Sequence, residues 1–200
     1  MRFALVNPNW SFEGSIYFGC PEPHLPLEYG YAKALLERAG HDAVIVDGQL
    51  FGLTLDEVRS ALEEYRPDLT VVTTAPSYLF WRCAPPELRA PREVVAAVRD
   101  VAGTVVAVGP HASTTPRAAL RKLGADVAVI GECEEVLPRL ADEPWSGVPS
   151  IAYDDGRRVR VQGGPYAAKF ADLPALSWPD GWVARHRHHH HRFDGRPTGP

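Results

Sequence analysis

The chain has 200 residues, 45% hydrophobic and 23% charged, with a formal net charge of −4. This is ordinary globular composition with enough apolar residues for one buried core, and the acidic balance argues against nucleic acid as a partner. No apolar run approaches the roughly 20 residues that cross a bilayer, Met1-Arg2-Phe3-Ala4-Leu5-Val6 is too short for a signal-peptide core, and Cys20, Cys83 and Cys133 stand too far apart for a zinc or iron–sulfur site, as expected of free thiols in a reducing cytoplasm.

Residues 3–6 form a short apolar strand ended by the turn signal Asn7-Pro8. Over 27–39, Leu27, Tyr31, Ala34, Leu35 and Arg38 recur at helical spacing, which predicts an amphipathic helix stopped by Gly40. A second strand is predicted at 43–46, ahead of Asp47-Gly48. Thr54 and Glu57 have the spacing of a capping box, opening a helix with Leu55, Val58, Leu62 and Tyr65 on one face and Pro67 as its stop. The apolar run 69–73 suits a parallel strand buried on both faces. Pro91 opens a helix with Val94, Val95, Val98 and Val101 inward, followed by a fourth strand at 104–108. Thr115-Pro116 starts a short helix through Leu123, a fifth strand follows at 126–130, and 134–140 forms the next helix. After Pro144, the β-prone runs 150–153 and 157–161 flank Asp154-Asp155-Gly156, a hairpin signal. Beyond Gly163-Gly164-Pro165 the chain is rich in Pro, Trp and His, and 172–200 reads as a linker or docking arm.

Strands alternating with helices imply crossover connections. The predicted fold class is α/β, a doubly wound parallel five-stranded sheet in the flavodoxin-like order 2-1-3-4-5, with a C-terminal β-hairpin and an extended arm. Its expected units are 1–145, 146–165 and 166–200. Ligands of such sheets bind outside the carboxyl ends of the strands, at the switch point between the first and third. The loops there are 7–26, 74–90, 109–115 and 131–135, and the first and third strands carry the two long ones. Gly109, Ala112 and Ser113 are small enough for close backbone approach. Ser113, Thr114 and Thr115 either offer an anion or amide site at a helix start, or Thr115 merely caps that helix. Tyr78, Phe80 and Trp81 either cover a flat macrocycle or pack their loop down.

Several chemistries are excluded by motif. There is no Gly-x-Gly-x-x-Gly after the first strand, no Gly-x-x-x-x-Gly-Lys-Ser/Thr and no Gly-x-Ser-x-Gly. Thr73-Thr74 stands where a phospho-receiver needs an aspartate, and Asn7-Pro8-Asn9-Trp10 replaces a flavodoxin-type phosphate loop. No acid–base or nucleophile constellation is visible, so no catalytic residue is assigned.

An ordered set of short motifs carries a resemblance. They are Asn7-Pro8, Leu27-Glu28-Tyr29-Gly30-Tyr31, Ala39-Gly40-His41-Asp42, Val108-Gly109-Pro110-His111-Ala112-Ser113, Ile130-Gly131-Glu132-Cys133-Glu134 and Asp172-Leu173-Pro174-Ala175-Leu176. The set resembles the N-terminal cobalamin-binding domain of cobalamin-dependent radical S-adenosylmethionine enzymes. The resemblance implies a cofactor site built from Asn7, Pro8, Thr73, Thr74, Ala75, Gly109, Pro110, His111, Ala112, Ser113, Gly131 and Glu132. It also implies a radical S-adenosylmethionine barrel as partner, in the same chain or another, with methyl transfer or radical rearrangement as the reaction of the intact enzyme. The Cys-x-x-x-Cys-x-x-Cys motif of that barrel is absent, so S-adenosylmethionine and the 4Fe-4S cluster belong to a missing catalytic half. The cobalt-ligating Asp-x-His-x-x-Gly is absent too, which implies cobalamin held without a histidine on its lower face. The alternative is a degenerate scaffold or interaction module without cofactor. His186-Arg187-His188-His189-His190-His191-Arg192 can bind Zn, Cu or Ni or serve as an interaction arm, and the arm is favoured because a flexible tract lacks fixed geometry. No metal site is assigned.

Overall fold

The computed structural model describes residues 1–10, 23–76 and 88–185. Cys20, Cys83, Tyr78, Phe80, Trp81 and the histidine run 186–192 lie outside the described residues.

The first five strands are β1 (Arg2–Asn7), β2 (Asp42–Asp47), β3 (Leu69–Thr73), β4 (Thr104–Val108) and β5 (Val127–Val129). They pair in parallel in the order β2-β1-β3-β4-β5, as expected. Their inner residues are buried on both faces, so the runs read as continuously apolar rather than alternating. The hairpin β6 (Ile151–Asp154) and β7 (Val159–Gln162) extends the same sheet antiparallel beyond β5, making seven strands. Its loop spans 155–158 with Gly156 at φ 83°, longer than a two-residue Asp-Gly turn.

The helices are α1 (Leu27–Arg38), α2 (Gly48–Phe51), α3 (Leu55–Tyr65), α4 (Arg89–Val98), α5 (Pro110–Thr114), α6 (Pro116–Leu123), α7 (Val136–Asp142) and α8 (Trp182–Arg185). On one face α1 and α7 cover Phe3, Leu5, Val71, Val106 and Ile151. On the other, α3 and α4 cover Ala4, Val6, Val72 and Val105, and α6 covers Ala107, Ala128 and Ala152. Thr54 and Glu57 form the expected capping box of α3. Three local expectations differ. The helix around Pro91 starts two residues earlier, at Arg89. Thr115 makes no capping bond to α6, because its hydroxyl donates back to the His111 carbonyl. The buried side of α1 is Tyr29, Gly30, Ala32, Leu35 and Leu36, while Leu27 is exposed.

The reason for the last difference is the C-terminal arm. It leaves β7, pairs Tyr166 beside Gly131 and crosses the outer side of α1, where Leu176 and Trp178 lie against Gly30 and the Ser177 N–H donates to the Gly30 carbonyl (3.1 Å). Trp182 is buried in the α1 core, stacked on Trp178 and edge-on to Phe51 of α2. α1 is therefore covered from two sides, so no single apolar stripe marks it. No described helix is long and apolar enough to cross a membrane.

Candidate functional site

The β1/β3 pairing ends at Val6↔Val72, but β1/β2 continues to Asn7↔Asp47 and β3/β4 to Thr73↔Val108. The tips of β1 and β3 thus part from each other while each stays with its outer neighbour. Side chains reinforce this. After β1, the Trp10 N–H donates to Gln49 Oε1 (2.6 Å), its indole to Asn7 Oδ1 (2.8 Å), and Asn9 Nδ2 to the Leu53 carbonyl (3.3 Å), tying the exit to the β2–α2 corner. After β3, the Thr74 N–H donates to the Val108 carbonyl (2.9 Å), and the His111 ring donates from Nδ1 to the Thr74 carbonyl (3.0 Å), tying that exit to β4. The result is the crevice expected at a topological switch point. Its floor is Tyr29 of α1, fully buried, with its hydroxyl 3.0 Å from the Val6 carbonyl and 3.2 Å from that of Val71.

The wall from β3 to β5 is continuous. Gly109 has φ 97°, and a Cβ there would stand 3.0 Å from Thr74 Oγ1, so the β4 exit needs glycine both for its backbone and for the neighbouring loop. Ser113 donates to the Gly109 carbonyl (2.9 Å) and accepts from the Gly131 N–H (2.9 Å), joining the ends of β4 and β5. Thr73, Thr74, Ala75, Gly109, Pro110, His111, Ser113 and Gly131 are brought together along this wall. Asn7 and Pro8 lie across the crevice from it. Ala112 points into the α6 core, and Glu132 turns to the arm, where its carboxylate accepts the Ala168 N–H. The Ser113, Thr114 and Thr115 hydroxyls all donate to carbonyls four residues back, so neither of the two readings of this stretch, an anion or amide site or a Thr115 cap, has the hydroxyls at its disposal.

Two acids escaped the sequence reading as buried groups. Asp47 Oδ1 accepts from Asn7 Nδ2 (2.8 Å) and from the N–H groups of Gln49 and Leu50, capping α2, while Oδ2 is buried without a partner. Burial pushes its carboxyl up to about 6, against the lowering by those bonds. Glu134, just past β5, also has a buried unpartnered oxygen; burial raises it to about 7, and Glu28 and Glu132 push the same way. Cys133 beside it is a buried free thiol pushed well up by burial. The signal available in the sequence was Asp47-Gly48 directly after an apolar strand, the position of a helix cap.

Each folded carboxyl keeps a proton that the unfolded chain loses, so stability is full below the ordinary carboxylate range and falls as pH rises. For Asp47 the window is 3.8 to about 6, and for Glu134 it is 4.5 to about 7. Asp47→Asn is expected to flatten the fall below pH 6, on the order of 3 kcal/mol, and to leave the upper part; urea midpoints taken at half-unit pH steps would show an unchanged curve if Asp47 is not the group responsible.

Comparisons with known proteins agree with this architecture. An uncharacterized methyltransferase of Pyrococcus horikoshii, PH0819, is 25% identical over 168 residues, 80% of this chain and 34% of that protein. The radical S-adenosylmethionine methyltransferase TsrM from Kitasatospora setae, with cobalamin and a [4Fe-4S] cluster bound, superposes with a TM-score of 0.63 at 22% identity, covering 88% of this chain and 31% of that one. The cobalamin-dependent S-adenosylmethionine radical enzyme OxsB, with aqua-cobalamin and S-adenosylmethionine bound, gives 0.64 at 17% identity, covering 88% and 24%. The chain thus spans about a third or less of the length of these proteins, and the structural likeness is one of fold. Residues 21–141, more than half the chain and the whole wall of the crevice from β3 to β5, match the B12 binding domain family, and the chain belongs to that family.

Proposed function

We propose that the chain holds cobalamin across the tips of β1, β3 and β4 and serves as the cofactor module of a radical S-adenosylmethionine enzyme that transfers a methyl group. The observation that carries this reading is the parting of β1 from β3, with each exit tied outward to its neighbour. The parted tips are bordered by the small residues Ala75, Gly109 and Ser113, whose size suits the close approach of a broad ring. The residues fit a corrinoid held by shape and by backbone polar groups. When bound, the cofactor supplies the cobalt–carbon chemistry; the chain positions it and limits water. The His111 ring is oriented by the bond from its Nδ1 to the Thr74 carbonyl; that it leaves cobalt unligated rests on the missing Asp-x-His-x-x-Gly motif, and the spectrum of the alanine variant tests it. A cis or trans catalytic barrel would supply S-adenosylmethionine and the iron–sulfur cluster.

The rival reading, a scaffold without cofactor, draws on a specific observation: Asn7, Ser113 and Glu132 already spend their side chains inside the protein. Titration with hydroxocobalamin, followed by gel filtration with absorbance in the visible, separates the two. One equivalent is expected to co-elute, and His111→Ala should bind with an unchanged visible spectrum. No co-eluting corrinoid would leave the scaffold.

A further inference from the structure

The far edge of the sheet carries a second recognition surface, independent of the crevice. Among the described residues β7 pairs only with β6. Arg158 and Gln162 turn their carbonyls to the β6 side, accepting from the N–H groups of Asp155 (3.2 Å) and Ser150 (2.7 Å). The alternation of an antiparallel ladder then turns the N–H and C=O groups of Val159 and Val161 outward. The Arg117 guanidinium lies on that open side, donating to the Val159 carbonyl (3.0 Å). Beside this edge runs an open, mostly apolar groove of about 410 Å3, lined by Thr115, Pro116, Arg117, Ala118, Arg121 and Val161. Exposed Val161 forms part of its wall.

Charge is concentrated here against the sign of the whole chain. Arg117 and Arg121 flank the edge on the α6 face. Arg158 and Arg160, one residue out of phase with Val159 and Val161, project to the opposite face. Among the described residues Asp155 answers them locally, pairing with Arg160 and accepting from the Arg157 and Arg158 N–H groups. Proteins usually blunt an open edge with charge or cover it; here Arg117 covers one acceptor, and an apolar channel lies alongside. We propose that this edge and groove receive an extended acidic segment of a partner protein as an added strand. Its backbone would pair with Val159 and Val161, its apolar side chains would enter the groove, and its carboxylates would meet the arginines.

The test uses the full 200-residue chain and an acetylated, amidated seven-residue peptide alternating glutamate and valine, titrated by calorimetry at low salt. Saturable binding below about 1 mM is expected, in the range of small transient interfaces. Val161→Pro removes the outward N–H while keeping an apolar side chain at the groove wall, and is expected to weaken binding about tenfold, as loss of one or two hydrogen bonds would. The same peptide N-methylated at alternate positions, tested on the unaltered chain, should bind as weakly, which holds even if the proline variant misfolds. A lysine–valine peptide should not bind. Equal binding of the N-methylated peptide, tighter binding of single-stranded DNA than of the acidic peptide, or no binding at all would overturn the proposal, whether or not the crevice takes a corrinoid.

Discussion

Replacing Gly131 with alanine is expected to destabilise the protein by about 3 kcal/mol and to loosen the arm along its length. Gly131 has φ 90°, and a Cβ there would overlap the backbone N and O of Tyr166. Those two atoms are already committed, the Tyr166 N–H to the Ile130 carbonyl (2.8 Å) and the Tyr166 carbonyl to the Glu132 N–H (3.0 Å). Relief of the overlap must break both bonds, each of about 1 kcal/mol, on top of about 1 kcal/mol of left-handed backbone strain. The segment beyond follows, because Glu132 and Glu135 hold it only while it stays in register: Ala168 N–H on Glu132, and Tyr166 hydroxyl (3.1 Å) and Lys169 N–H (3.2 Å) on Glu135. Urea midpoints measure the loss, and faster amide exchange at Tyr166 and Ala168 locates it. Gly156→Ala is the control. Its φ is 83° but nothing stands within 4 Å of the added carbon, so it should cost only the backbone part. Equal losses in the two variants would mean that the close approach contributes nothing.

The contrast between these glycines bears on what a sequence can disclose. Strands β1, β3 and β4 were legible because four or five consecutive apolar or β-branched residues, bounded by turns, have few other solutions. α3 was legible because its cap is a pair of residues three apart. α2 and α5 were not, since four- and five-residue helices are too short to show a period. The joining of the hairpin to β5 was missed because its partner, three residues long, is chosen by tertiary packing. At the site, strand tips follow from topology alone, so Gly109, Thr74 and Ser113 could be placed. Which of their atoms remain for a ligand depends on partners 18 to 40 residues away: Asp47 for Asn7, Gly131 for Ser113, Ala168 for Glu132. The docked arm had one visible trace, Gly30 inside a helix, where an unneeded glycine usually marks a close neighbour.

Tyr29 links the core to the crevice, and its substitutions separate the two contributions. The ring is fully buried among α1, the sheet and α7, so Tyr29→Ala removes a large side chain that the surroundings cannot fill; a loss of about 4 kcal/mol is expected. Tyr29→Phe keeps the ring and removes only the hydroxyl that spans the carbonyls of Val6 and Val71, with an expected loss of about 1–2 kcal/mol. Burial, chiefly, holds the phenol well above its ordinary value, so the folded chain keeps a proton that the unfolded chain releases above about pH 10. Wild-type stability should therefore fall as pH rises past that point, and the phenylalanine variant should lack this term. Because the two carbonyls belong to the strands that part at the crevice, the hydroxyl also fixes how far apart they stand. Tyr29→Phe, still folded, is then the variant in which corrinoid affinity and β1–β3 amide exchange should change together. A phenylalanine variant as stable as wild type at neutral pH, with an unaltered alkaline limb, would remove Tyr29 from the floor of the site.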